Sequence, residues 1–143
     1  MEQRQLEKFK IWFDEFVAGF YGNDEYVNAN IKLKHKHSKY VCSEMLYLAD
    51  QLGLDPNQRL IAETIALFHD VGRFEQFKKY RTYNDVRSVN HSMLALEVLS
   101  EKKILEQIPE KEKDIIEKAV EYHSVKQLPD SLDGDVLLYA KMI

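Results

Sequence analysis

The chain has 143 residues, of which 45% are apolar and 31% are charged, and its formal net charge is −4. A chain of this length can bury roughly two thirds of the surface that its unfolded form exposes, so one domain with a full core is expected. The sequence pI of about 5.7 argues against a dedicated nucleic-acid binder, which normally has a strongly basic face, but it leaves a small anionic substrate open.

The scarcity of turn-forming residues favours helices over β-sheet. Five glycines and three prolines are about half of ordinary usage. The single cysteine, Cys42, excludes an internal disulfide and suits a reducing compartment. No apolar run approaches the ~20 residues of a membrane span, and the first residues lack the apolar core of a signal peptide. We therefore predict an all-α, cytoplasmic protein without a membrane partner.

Four helices are predicted in the first half of the chain. The first has an apolar and largely aromatic stripe at helical spacing, which we interpret as core packing rather than an aromatic pocket. The stripe comprises Leu6, Phe9, Phe13, Phe16, Val17 and Phe20. A weak, short helix over residues 24–33 precedes a firmer one from Ser38 to Gly53. Asp55-Pro56 then begins a helix that runs to His69-Asp70 and is ended by Gly72.

The second half opens with a segment that has no firm periodicity. Residues 74–89 are polar, aromatic and basic, which predicts a long loop or broken helix, and long ordered loops in compact domains are often functional. Further helices are predicted over residues 92–100, from Pro109 to His123 and from Val136 to Ile143. No cap signal follows Met142-Ile143. We therefore expect a single domain over residues 1–143 that is truncated at its C-terminus.

Four of the five histidines lie at predicted helix ends. His37 begins a helix, His69 with Asp70 ends the next, His91 opens another, and His123 closes one. Helix ends from separate elements can converge in a bundle, whose ligand sites are built in this way. Imidazole and carboxylate together suit divalent ions such as Mn, Fe, Zn or Mg. Any one histidine alone is more often a satisfied polar residue, so the alternative is that the histidines are incidental.

The motif around residue 70 resembles a known family. The string Ala66-Leu67-Phe68-His69-Asp70-Val71-Gly72-Arg73 follows a helix and an upstream His37-Ser38, with Val41 one turn later. This pattern is similar to the HD-domain superfamily of metal-dependent phosphohydrolases, and the similarity extends from about Lys34 to the C-terminus. It implies an all-α fold, a single compact helical bundle. The run from Arg73 to His91 is similar to a bacterial subgroup of small stand-alone HD proteins.

The resemblance also implies a set of metal ligands. His37, His69 and Asp70 are implied to bind a first divalent ion, and Asp70 to bridge to a second. His91 and His123 match the additional histidines of two-metal members. The implied cofactor is one or two divalent ions among Mn, Fe, Mg, Zn, Co and Ni. Hydrolysis by metal-activated water then follows, with Asp70 holding the ions and orienting the nucleophile.

The sequence departs from the family pattern at the last metal ligand. The family has a final metal-binding aspartate on its last helix, preceded by an apolar stretch such as Val136–Ile143. The sequence shows no aspartate after that stretch, and Asp133 and Asp135 lie too early to be assigned the role. The activity of this chain is therefore open even within the family. His35, two residues before His37, is expected to be exposed or at most to contact substrate.

Basic side chains near the motif suggest how an anionic substrate is held. A phosphate ester needs positive charge to offset the charge that develops in its transition state. Arg73 is predicted to take this role, as a catalytic and substrate-binding residue. Lys79 and Arg81 are predicted to bind substrate as well, against the alternative, favoured for Lys79, that they form a solvated basic surface.

Three functions are weighed. The first is a metal-dependent phosphohydrolase acting on a small phosphorylated substrate such as a nucleotide. The second is a non-catalytic nucleotide- or metal-binding module of HD type, which the missing aspartate favours. The third is a helical interaction domain. A homodimer is left open, because periodicity cannot distinguish packing within the domain from packing across an interface.

Overall fold

All regular structure is helical in the computed structural model, which describes residues 1–143. Seven α-helices and one turn of 3-10 helix follow one another without any strand, so the predicted all-α fold is confirmed. In chain order they are α1 (Gln3–Ala18), α2 (Glu25–Gln51), α3 (Pro56–Phe68), α4 (Arg73–Tyr80), α5 (His91–Glu101), the 3-10 turn (Ile104–Gln107), α6 (Glu110–Tyr122) and α7 (Gly134–Met142). None of the helices combines the length and apolar character that crossing a membrane requires.

The central helix is α3, because it is apolar on nearly every face. All residues from Ile61 to Asp70 are buried, and a helix of this kind has to be covered by its neighbours. Helices α1, α2 and α6 pack against it. Its buried polar side chains are satisfied: Glu63 pairs with Lys10 at 2.8 Å, and the Thr64 hydroxyl donates to its own helix. The C-terminal end of α3 therefore lies in the interior of the protein.

The aromatic stripe of α1 is part of the core, as predicted. Phe9, Phe13 and Val17 are buried. The Phe9 ring centre lies 5.4 Å from that of Phe68, and the Phe13 ring centre lies 5.9 Å from that of Phe74, both in edge-on contact. Such edge-on pairs are a favoured aromatic geometry. The stripe therefore connects α1 to the two helices that flank the 69–72 turn.

Helix α2 is one continuous helix of 27 residues, so the predicted break between residues 33 and 38 was wrong. Its buried positions keep helical spacing across the supposed gap, with Ile31, Ser38 and Cys42 among them. Ser38 is polar, and Lys34 one turn earlier is half-buried, which interrupts the apolar pattern. The interruption occurs because this part of α2 borders a polar site.

Helix α4 occupies the first half of the segment that was predicted to be a long loop or a broken helix. Residues 73–80 are helical, whereas residues 81–90 have no regular structure. Phe74 and Phe77 bury one face of α4, but the adjacent Gln76 is fully buried as well. A buried glutamine beside two phenylalanines hides the helical period, which explains why the sequence favoured a loop.

Gly72 was predicted to end α3, but it lies instead where the chain passes close to α5. Helix α3 ends at Phe68, and Gly72 is the N-cap of α4. A Cβ atom at Gly72 would lie 2.4 Å from the carbonyl oxygen of His91 and 2.6 Å from the amide nitrogen of Ala95. Both neighbours are backbone atoms that cannot rotate away. Glycine is therefore required here for close approach of two backbones.

Candidate metal centre

The structure gathers four of the predicted site residues around the carboxylate of a fifth, Asp70. Its Oδ2 atom lies 3.3 Å from Nε2 of His69 and 3.5 Å from Nε2 of His37. Its Oδ1 atom lies 3.5 Å from Nε2 of His91 and 3.7 Å from Nε2 of His123. Ligand atoms about 2.1 Å from one ion lie roughly 3.0–3.5 Å apart. The site therefore needs little movement to close around an ion.

Asp70 belongs to two groups of possible metal ligands. His37, His69 and Asp70 form one group, and Asp70, His91 and His123 form the other. Within each group the ligand atoms all lie within 4.8 Å of one another. A carboxylate has two oxygens, each of which can bind a separate ion. The arrangement can therefore accommodate one or two ions that share Asp70.

Two of the rings are positioned by the same local structure. His69 and His123 are the C-cap residues of α3 and α6. Each Nδ1 donates to the carbonyl three residues earlier, at 2.6 Å to Ala66 and 2.5 Å to Val120. Carbonyls in the last turn of a helix lack a helical partner, so the histidine satisfies one. The bond fixes each ring and directs its Nε2 toward Asp70.

His91, the first residue of α5, is positioned by a carboxylate instead. Its Nδ1 donates to Asp85 Oδ2 at 2.7 Å. The other oxygen of Asp85 accepts from Arg73 at 2.9 Å and from Gln76 at 3.0 Å. Burial alone would raise the pKa of Asp85, but the hydrogen bonds from His91 and Gln76 outweigh it and lower the pKa. An ionised carboxylate behind a histidine fixes the tautomer and the orientation that metal binding needs.

In their neutral forms, three of the rings present no hydrogen to Asp70. His69, His91 and His123 use their Nδ1 hydrogens in the bonds above, so the neutral form of each has a lone pair on Nε2. The Nε2 atoms of His91 and His123 lie 3.1 Å apart, and the carboxylate between the rings is also an acceptor. Lone pairs and a carboxylate that converge with no hydrogen between them fit a divalent cation.

The protonation states at the centre favour metal binding. Burial lowers the pKa of His91, although Asp85 opposes the effect. Burial, and then the charge of Lys34, also lowers the pKa of His37. Burial by itself would raise the pKa of Asp70, but hydrogen bonds from His123 and His69, which form only when those rings are protonated on Nε2, and the charge of Lys34 outweigh burial and hold the pKa well below its usual range. A bound divalent cation would take the place of those protons. Neutral imidazoles around an ionised carboxylate are the forms that bind divalent metals.

Arg73 lies beside Asp70, as predicted, but part of its guanidinium group is already engaged. Nη1 donates to the side chains of Gln76 and Asp85 and to the carbonyl of Tyr83. Its Nε lies 3.7 Å from Asp70 Oδ1 and is buried without a hydrogen-bond partner. Arg73 therefore holds Asp85 and also leaves an unused donor beside the centre. Its role in catalysis stays a prediction.

The structure does not bring Lys79, Arg81 or His35 to the centre. Arg81 pairs with Asp24, the N-cap of α2, and Lys79 is exposed on α4. His35 hydrogen-bonds Asp14 at 2.8 Å. Because residues 73–80 are helical, positions 79 and 81 lie roughly 9–12 Å further along the α4 axis than Arg73. The substrate-binding roles predicted for Lys79 and Arg81 have no support in this geometry.

The two aspartates near the start of α7 also lie elsewhere. Asp133 caps α7, and its Oδ1 accepts from the amide of Asp135 at 2.9 Å. Asp135 lines a surface depression with Asn57, in the first turn of α3. Asp70 follows the other end of that helix, about 20 Å away at 1.5 Å per residue. Neither aspartate reaches the centre, in agreement with their early position in the sequence, which assigns them no ligand role.

Sequence reasoning missed two residues of the site. Lys34 Nζ lies 3.3 Å from Asp70 Oδ2 and 5.0 Å from the ring centre of Tyr83. It precedes His37 by three residues, so the two side chains share a face of α2, and this spacing was the available signal. The role of Asp85 had no comparable signal, because a contact from an irregular segment leaves no periodic pattern.

Replacing Asp85 with asparagine is expected to weaken metal binding by roughly 10–100-fold, the usual cost of losing a group that orients a metal-binding histidine. The amide carries no charge to hold the His91 Nδ1 hydrogen, and its NH₂ group can face that hydrogen. Calorimetric titration with Mn²⁺ measures the change. Asp130→Asn, at an exposed position, is the control, and equal affinities for the two variants would contradict this role of Asp85.

Comparison with protein-family models matches residues 35–141 to the family described as HD domain. The matched segment runs from the middle of α2 to the last turn of α7. It includes Asp70 and all four histidines that surround it. No curated protein and no solved structure matches the chain. The match to the HD-domain family is therefore the comparison on which the assignment of this chain rests, and it covers most of the chain.

Proposed function

We propose, because the chain belongs to the HD-domain family, that it is a metal-dependent phosphohydrolase that uses activated water to cleave a small phosphate ester or a nucleotide. The observation that supports this most is the convergence of four imidazoles on the Asp70 carboxylate. We place the activity in the cytoplasm, since a reducing compartment suits a chain whose single cysteine, Cys42, is free and buried.

Asp70 and the four histidines would hold the metal. A bound divalent ion supplies Lewis acidity, which polarises a phosphoryl oxygen and makes water a stronger nucleophile. A donor set rich in imidazole favours Mn, Fe, Co, Ni or Zn over Mg, which prefers oxygen ligands. The metal identity is therefore expected within that group of transition metals.

Two cations flank Asp70 and can take up the negative charge of a phosphate. Lys34 Nζ lies 3.3 Å from Asp70 Oδ2, and Arg73 Nε lies 3.7 Å from Asp70 Oδ1. The Nε–H of Arg73 is buried and has no acceptor, so it can donate to a phosphoryl oxygen only if that oxygen enters the centre beside Asp70. Fixed positive groups aimed at developing negative charge give large rate effects. Lys34 replaces Lys79 and Arg81 as the second substrate-binding residue in this proposal.

Replacing Lys34 with glutamine is expected to lower kcat/KM by up to about 100-fold, the cost of losing one charge-stabilising donor. Steady-state kinetics on the best substrate measures the loss. Lys32→Gln, two residues earlier on the exposed side of α2, removes the same charge at a distance from Asp70. If both variants lose activity equally, Lys34 acts only through the overall charge of the protein.

A substrate screen tests the proposed activity. The chain is loaded separately with Mn, Fe, Co, Ni, Zn and Mg and assayed on phosphomonoesters, phosphodiesters and nucleoside triphosphates. We expect turnover of at least one class with a transition metal, and none with Asp70→Asn under the same conditions. A chain that holds metal but turns over no class would contradict the proposal.

One observation favours a second candidate, a non-catalytic module that binds a nucleotide or only a metal. The two groups of possible metal ligands include no residue of α7, and the one aspartate of α7, Asp135, lies at the opposite end of α3. This candidate predicts tight binding of a nucleotide to the metal-loaded chain without turnover. Calorimetric titration with a non-hydrolysable nucleotide analogue, beside the activity screen, distinguishes the two functions.

A further inference from the structure

A row of large apolar side chains on α2 has no cover within the chain. Leu33, Tyr40 and Tyr47 are 62%, 63% and 61% exposed. They follow one another every seven residues, which is almost two helical turns, so they lie along one face of α2 over about 21 Å. Tyr26, seven residues before Leu33, is instead covered in part by Phe77 and Arg81. We call the three uncovered residues the α2 stripe.

The spacing of the α2 stripe is that of a helix–helix contact. Scattered exposed apolar residues are normal on protein surfaces. A row with a seven-residue period supplies one of the two apolar positions in each heptad by which helices pack side by side. The other face of α2, with Ile31, Met45 and Ala49, already packs into the core. A helix apolar on two opposite faces needs a second partner for the outer one.

The charges beside the α2 stripe are complementary to those of a second copy. Lys36 lies four residues before Tyr40 and Glu44 four residues after it, and both are exposed. If two α2 helices run antiparallel about a two-fold axis at Tyr40, Lys36 of each copy faces Glu44 of the other. In the same register Leu33 faces Tyr47. A parallel pair would instead bring Lys36 next to Lys36, which is unfavourable.

We propose that this protein forms a homodimer through the α2 stripe, with the two α2 helices antiparallel about a two-fold axis at Tyr40. Such an interface is isologous, the commonest type in homodimers. Three large side chains more than half exposed offer roughly 300–400 Å² per copy. With the flanking side chains, the total is about 800–1,000 Å², below the standard size and in the range of weak, transient complexes. The dimer is therefore dissociable, with a Kd in the micromolar range.

The interface borders the metal centre. His37 lies three residues before Tyr40 on α2, and its side chain is 44% exposed. In the antiparallel dimer Ser43 of the second copy is the residue nearest to His37 in register. Both metal centres thus lie beside the two-fold axis. The dimer can form whether or not the chain is an enzyme, because Leu33, Tyr40 and Tyr47 carry its contacts and no bound metal is needed for them.

Analytical ultracentrifugation of the 143-residue chain over about 1–200 μM tests the proposal. We expect a concentration-dependent monomer–dimer equilibrium. Tyr40→Glu places two like charges at the axis and should raise the Kd at least about tenfold. Ile11→Glu is the control, since Ile11 is 61% exposed on α1 and lies outside the stripe. A chain that stays monomeric, or a dimer equally sensitive to both variants, would overturn the proposal.

A charge-swap series tests the antiparallel register. Lys36→Glu and Glu44→Lys should each raise the Kd at least about fivefold, because each replaces two attractive pairs with two repulsive ones. The double variant restores both pairs and should return the Kd to within about twofold of the original. Failure of the double variant to recover would exclude the antiparallel register. Both positions are exposed, and circular dichroism confirms that each variant folds.

Discussion

Asp70→Asn is expected to abolish metal binding, with at least a roughly 100-fold loss of affinity, and with it the metal-dependent activity. Asp70 contacts all four histidines of the centre and belongs to both groups of possible ligands. Asparagine offers one neutral oxygen where the carboxylate offers two charged ones. Its amide hydrogens also point at lone pairs of the histidines and compete with a cation. No other side chain of the centre combines these roles.

The metal-free variant should keep its helical fold. The amide group of the introduced asparagine can donate to an Nε2 lone pair, which offsets part of the loss of the contacts that Asp70 makes with Lys34 and Arg73. The increase in Tm caused by metal in the original chain should therefore disappear, because a ligand stabilises a protein only through binding to its folded state. Asp14→Asn removes a carboxylate paired with a histidine elsewhere, His35, and is the matched control. A metal-induced Tm increase that survives Asp70→Asn would contradict the role of Asp70.

Gly72→Ala is expected to destabilise the fold by about 3 kcal/mol or more, at the upper end of overpacking effects. The new Cβ would lie 2.4 Å from the carbonyl oxygen of His91 and 2.8 Å from Cβ of Leu94. The turn after α3 must then move away from α5. Since His91 is the first residue of α5, the movement also draws its ring away from Asp70. The variant should therefore lose stability and metal affinity together.

Urea denaturation and Mn²⁺ titration of the same samples check this expectation. Gly22→Ala is the control, because a Cβ at Gly22 meets nothing within 4 Å. The difference in free energy of unfolding between the two alanine variants isolates the steric effect from the entropy that every glycine substitution changes. If Gly72→Ala is as stable as Gly22→Ala, the close approach of the 69–72 turn to α5 does not limit the fold.

Three of the four histidines lie at helix ends as predicted, because that placement follows from chemistry visible in the sequence. His37 was predicted to begin a helix but lies inside α2. His69 and His123 come directly after helices that bury an apolar face, where a side chain can bond a free carbonyl and still face the interior. His91 begins a helix after Asn90, a good N-cap residue. Helix ends that meet in a bundle made their convergence a reasonable expectation.

The remaining features could not be predicted, because they depend on contacts that leave no pattern in the local sequence. Ser38 and Gln76 are fully buried polar residues near the centre, and each disturbed the apolar period of its helix. The continuity of α2 and the helical form of α4 were obscured for that reason. Such conflicts between local pattern and final structure are expected near functional sites. The contact between Asp85 and His91 depends on the course of an irregular segment, which the sequence did not specify.

The central claim is that Asp70 and the histidines around it form a site for a divalent metal. Elemental analysis after Mn²⁺ loading and gel filtration tests this most directly, on the original chain and on Asp70→Asn in parallel. We expect about one or two equivalents of manganese in the original chain and essentially none in the variant. A chain that retains no metal, or a variant that retains as much as the original, would contradict the claim.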